Sequence, residues 1–187
     1  SIPAALLLLS IFSTLMFSSA QPTSNSRVYF PRTPVDPSVL NICQKTLYPR
    51  VCIFAVVPYL KPGHVDAPSL LAKEIEATTV AVKRALHQVA LMDAAPSTPL
   101  RRKTILQQCR NYYSDAADSL LHAAAAVRSG NMGTVKSTLG AAFSDFRTCE
   151  AGFAMAAPGA TSPTNHLFNH FLKLATNCLT IASLIQH

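Results

Sequence analysis

The sequence predicts an all-α protein: an antiparallel up-down-up-down four-helix bundle with a short N-terminal helical hairpin and two disulfides. Three observations predict it. Four long stretches repeat apolar residues every three or four positions, the period of a helix that buries one stripe. No stretch of useful length alternates as a half-buried strand does. Gly130, in the turn pattern Arg128-Ser129-Gly130-Asn131, lies almost midway between two cysteines, with Cys109 21 residues before it and Cys149 19 after it. In an antiparallel helix pair, residues equidistant from the turn face each other. These two thiols are therefore level and near enough to bridge.

The elements follow in order along 187 residues, enough for one domain with a core. Residues 1–20 read as a secretory signal peptide, apolar from Ala4 to Phe17, with Ser18-Ser19-Ala20 as the small residues before cleavage. It lacks a basic start and an initiator Met, so the sequence is expected to be clipped there. As a membrane span it is short, and no basic stop follows it. Residues 21–35, with Pro22, Pro31 and Pro34, read as a flexible lead-in. Asp36-Pro37 opens a short helix through Thr46, Tyr48-Pro49 breaks it, and a second apolar turn runs to Val57. Together residues 36–58 form the hairpin. Cys43 and Cys52, nine residues apart across the break, make the easiest disulfide in the chain to close.

Pro58 to Pro68 is a linker with three prolines and Gly63. Residues 68–187 are expected to form the bundle. Its first helix runs from about Ser69 to Ala94 on a stripe of Leu71, Ile75, Thr78, Val82, Leu86 and Val89. Thr98 and Pro99 then read as the N-cap and first helical residue of the next. That helix carries Ile105, Cys109, Tyr112, Ala116, Leu120, Ala123 and Val127. Beyond the turn come Val135, Leu139, Ala142, Phe146, Cys149 and Phe153. A loop from Ala157 to Pro163 leads to the last helix, opened by Ser162-Pro163, with Leu167, Phe171, Leu174, Cys178, Ile181 and Ile185. Cys178, the fifth cysteine, lies on that stripe and reads as a buried free thiol.

Function classes narrow by exclusion. The net charge is +7, but the basic residues are scattered and the longest run is Arg101-Arg102-Lys103, with no nucleic-acid signature. No nucleotide loop, zinc pair or nucleophile elbow is present, and no cofactor is expected. His166 and His170 have i, i+4 spacing, but no acidic residue on that stretch completes a metal set. Four alanine-rich stripes should pack without a central cavity for a ligand. What remains is a surface. Asn111, Asp115, Asp118 and His122 fall at i, i+4, i+7 and i+11, a polar ridge along the cross-linked hairpin. A stiff ridge needs little ordering on binding.

At these residues the chain resembles the plant invertase and pectin methylesterase inhibitors. The resemblance runs from about Asn41 to Ile185. It rests on Ile42, Cys43, Thr46, Tyr48-Pro49 and Cys52; on Cys109, Tyr113, Ala116, Asp118 and Leu120; on Ala141-Ala142-Phe143, Cys149-Glu150 and Phe153; and on Leu172, Leu174, Cys178 and Leu184-Ile185. It implies that residues 36–187 are an inhibitor domain, secreted into the apoplast or cell wall, with bridges Cys43–Cys52 and Cys109–Cys149. It implies no catalysis, no membrane in the mature form, a monomer when free, and noncovalent cover of an enzyme's active-site cleft. Invertase inhibitors of the family tend to carry Pro-Lys-Phe after the central turn, where this chain reads Asn131-Met132-Gly133-Thr134. The resemblance therefore favours pectin methylesterase as partner, with acid invertase as the alternative. The partner-binding residues it implies are Asn111, Asp115, Asp118, Asn131 and Thr148, with Asn111 and Asn131 standing where acidic residues occur elsewhere in that branch.

Overall fold

Capping chemistry sets where each helix begins. In the computed structural model, residues 35–156, 158–159 and 162–185 are described; they belong to one compact unit, Thr33–His187. The expected signal peptide, and the lead-in up to Pro34, lie outside the described residues. Asp36 caps α1 (Pro37–Cys43), its carboxylate accepting the Ser38 N–H at 2.8 Å. α2 (Pro49–Val56) starts on a proline and runs into a single 3-10 turn at Val57–Tyr59. Asp66 caps α3 (Ala67–Ala94) through the Ser69 N–H at 2.8 Å. Bonds from Ser69 hold the Asp66 carboxyl below its ordinary range. α3 thus starts two residues before the expected Ser69 and takes Pro68 into its first turn, where no N–H is needed.

The turn from α4 (Leu100–Arg128) into α5 (Met132–Ala156) is closed by backbone bonds. Gly130 has φ +70°, with its N–H on the Val127 carbonyl at 3.1 Å and the Asn131 N–H on Ala126 at 2.9 Å. This pair satisfies the last carbonyls of α4 and needs a left-handed residue at Gly130. α6 (Asn165–Leu184) completes the four long helices, and no strand occurs among the described residues.

Two disulfides fix the frame, Cys43 to Cys52 and Cys109 to Cys149, the latter with Cα atoms 4.9 Å apart. Cys178 is buried and free. Around the second bridge, Phe146 of α5 stacks on Phe171 of α6 at 4.0 Å, and Tyr113 of α4 packs edge-on against both. A disulfide sulfur has no proton, so the Tyr113 hydroxyl donates to Sγ of Cys149 at 3.6 Å. One amide ties the N-terminal hairpin to α6, beside the packing of Val39, Cys43, Cys52 and Val56 in the core. Asn177 of α6 accepts the Tyr48 N–H at 3.1 Å and donates to the Tyr48 carbonyl at 3.0 Å.

Two expectations need correction. Thr98 does not cap α4. Pro99 occupies the N-cap with ψ 146°, and the Thr98 hydroxyl donates at 2.7 Å to the Met92 carbonyl, closing the end of α3 instead. The start of the α4 stripe is displaced by one residue. Leu106 and Tyr113 are buried, whereas Ile105 and Tyr112 pack partly buried against the core edge. Facing two helices at once widens a stripe, and either neighbour of a position can then be the inner one. A feature with no sequence signal is Glu74, which lies fully inside on α3 with neither carboxyl oxygen hydrogen-bonded.

Candidate functional site

On α4, Asn111, Asp115, Asp118 and His122 are all exposed, each off the buried stripe of Cys109, Tyr113, Ala116 and Leu120. The buried stripe fixes the ridge, because the disulfide and the aromatic cluster hold the opposite side of the same turns. On α5, Thr148 is exposed and its hydroxyl donates to the Ser144 carbonyl at 2.9 Å. Thr148 adjoins Cys149, so the bridge to Cys109 sets it level with Asn111.

Asp145 joins this group from α5. Burial, and then the charge of Asp115, push its carboxyl above the ordinary carboxylate range. Two acidic side chains therefore approach each other across the α4–α5 seam of a chain whose net charge is +7. The mirror rule about Gly130 places them as it places the cysteines: Asp115 is 15 residues before the glycine and Asp145 15 after it. Beside them lies a shallow depression formed by Phe143, Ser144, Arg147, Thr148 and Ala151. The Arg147 guanidinium sits 5.9 Å over the Phe143 ring, which stacks at 6.4 Å on Phe168 of α6. Sequence reasoning singled out Thr148 but neither Phe143 nor Arg147 as part of a surface.

Asn131 stands apart. It is at the tip of the hairpin, 17 residues before Thr148, about 25 Å along α5 at 1.5 Å per residue. Its side chain accepts the Thr134 N–H at 3.0 Å and so caps α5. Among the described residues, no group of three or more histidines, cysteines and acidic residues could hold a metal ion. His166 and His170 are exposed on α6.

The model of the plant invertase/pectin methylesterase inhibitor family matches residues 37–181. The chain belongs to that family. Its fold agrees with solved members. A mutant form of a pectin methylesterase inhibitor from Arabidopsis superposes with a TM-score of 0.63 at 19% identity, covering 80% of this chain and 97% of that one. A pectin methylesterase inhibitor from Arabidopsis thaliana superposes with a TM-score of 0.54 at 21% identity, covering 81% and 98%. Identities this low show a shared fold. No curated protein is significantly similar in sequence. The Cys109–Cys149 bridge cross-links the two helices of the α4–α5 face.

Proposed function

We propose that this family member is a secreted inhibitor of pectin methylesterase, itself noncatalytic and monomeric when free. It docks its α4–α5 face noncovalently over the enzyme's active-site cleft in the cell wall. One observation carries the reading: Asp115, Asp118 and Thr148 are exposed on the two helices that Cys109–Cys149 joins. Polar groups held on a stiff scaffold lose little freedom on binding. The likeness of the fold to pectin methylesterase inhibitors supports the choice of partner. Among the described residues, no helix is long and apolar enough to cross a membrane, which is compatible with a secreted product.

The test is inhibition by the double variant Asp115→Ala, Asp118→Ala, with folding confirmed by circular dichroism. Both changes are exposed, so each should alter stability by about 0.5 kcal/mol or less. Loss of a carboxylate that meets a donor on the enzyme should weaken binding by about 1–3 kcal/mol per site, roughly 5- to 150-fold. Lys83→Ala, exposed on α3, should be nearly silent. Undiminished inhibition by the folded double variant would move the docking face elsewhere. Running an acid invertase beside the esterase assigns the partner. Inhibition of invertase alone would overturn the esterase reading.

The purified protein alone should release no methanol from pectin and split no sucrose, because its sequence offers no recognisable set of nucleophile, base and oxyanion donor. Turnover that co-purified with the chain through successive columns would contradict this.

A further inference from the structure

The hairpin does not seal against the bundle. Between α2, the 3-10 turn, α3 and α6 it leaves a groove of about 460 Å³, within the size range of small-molecule sites. Its floor is small and apolar, with Ala77, Ala81 and Leu174, and its wall carries Phe54 and Tyr59. Phe54 is 42% exposed.

The charged groups along this groove have one sign. Arg50 of α2 and Arg84 of α3 line it beside the imidazole of His170 of α6, and no carboxylate does. Neither arginine has an ion-pair partner among the described residues. The helix register sets Arg84 at one end, beside the His170 imidazole. Thr78 of α3 and Cys178 of α6 approach to 3.9 Å across an antiparallel pair, so moving about two turns along each helix brings Arg84 level with His170. Tyr59 marks the other end, since it also lines a neighbouring hollow with Ser69 and Lys73 nearer the start of α3. From Ala77 to Arg84 the groove runs about 10 Å at 1.5 Å per residue.

A groove that is aromatic at one end and cationic at the other has the polarity of an amphipathic anion. A flat apolar body would lie on Ala77 and Ala81 against Phe54 and Tyr59. Its acidic head would meet guanidinium donors in the fork geometry that suits carboxylates and sulfonates. A neutral ligand would leave the arginines unused, and a cation would be repelled by them.

We propose that the groove between the N-terminal hairpin and the bundle binds a small organic anion, a cyclic carboxylate or sulfonate of one or two rings. This site is distinct from the α4–α5 face and does not depend on which enzyme that face meets.

The probe is 8-anilinonaphthalene-1-sulfonate, titrated by fluorescence into the folded protein, with uncharged 1-anilinonaphthalene as its partner. One saturable site is expected, with the sulfonate bound at least about tenfold more tightly than the neutral ring. Arg50→Ala with Arg84→Ala should weaken the sulfonate at least about tenfold, as losing charged hydrogen bonds does. Arg101→Ala with Arg102→Ala, at the start of α4, should leave it unchanged. A measurement on the unaltered protein guards against misfolded variants: naphthalene-1-sulfonate should shift amide resonances of Ala77, Val80 and Ala81, and not those of α4. Equal affinity for the charged and neutral probes, equal loss in both arginine pairs, or shifts spread over α4 and α5 would each overturn the proposal.

Discussion

Between pH 5 and pH 8 the protein should lose on the order of 4 kcal/mol of stability, and Glu74→Gln should abolish most of that loss. Glu74 is 0% exposed, and both of its oxygens lack hydrogen-bond partners. Burial pushes its carboxyl from 4.5 up to about 8, with the Asn177 amide pulling weakly the other way. The direction follows from proton counting. Above about pH 4.5 the unfolded chain releases this proton, while the folded protein keeps it until about pH 8. A folded state that holds the extra proton is disfavoured as protons become scarce. The stability is therefore complete below the unfolded value and falls by about 1.4 kcal/mol per pH unit up to the folded one. Two other groups titrate nearby. Burial, and then Lys173, lower His170, which adds a smaller change of opposite sign at mildly acid pH. Burial, and then Glu74, raise Cys178, whose effect lies above pH 9. The glutamine variant isolates Glu74 from both, because it is neutral throughout and keeps the shape. Urea midpoints of the two proteins at pH 5 and pH 8 decide the matter. Parallel shifts in the pair would place the pH dependence elsewhere.

Removing the long-range bridge should cost about as much. Cys109→Ala with Cys149→Ala opens a loop of separation 40, worth about 4 kcal/mol by chain entropy, in a usual range of about 2–5 kcal/mol for native bridges. Alanine is the better replacement, since serine would put two hydroxyls into a site where both cysteines are at most 1% exposed. The Tyr113 hydroxyl also loses its sulfur acceptor. Thermal unfolding of the variant beside the parent reads the loss, and a deficit under about 1 kcal/mol would mean that the aromatic cluster alone holds the seam. Inhibition measured below the variant's own midpoint separates a structural role of the bridge from a direct one.

How much of this was legible in the sequence depended on whether a feature is local. The α4–α5 bridge follows from a turn and two nearly equal distances, and so does the approach of Asp115 to Asp145, which the same rule contained and which went unread. The identity of the inner residue at Leu106 or Tyr113 was not legible, because it depends on how two partner helices share one stripe. Glu74, in Lys73-Glu74-Ile75-Glu76, and Asn177, after Thr176, look like ordinary polar positions of their helices. Their burial follows from contacts more than 100 positions apart along the chain, as the 129-residue separation of Tyr48 and Asn177 illustrates. The groove beside Arg84 was invisible for the same reason, since it exists only once the hairpin has docked.

Tyr113 gives the molecule an optical reporter. The chain has no tryptophan and five tyrosines, and Tyr113 is the buried one among the described residues. A ring clamped between Phe146, Phe171 and a disulfide gives an ordered near-ultraviolet dichroism band, which fades when tertiary packing is lost even if the helices persist. Burial, followed by the nearby Glu150 charge, also holds its phenol un-ionised well above the ordinary range. In an alkaline titration the Tyr113 phenolate is expected only once the centre of the bundle opens. An unlabelled sample thus shows, by absorbance alone, whether α4, α5 and α6 are still packed together.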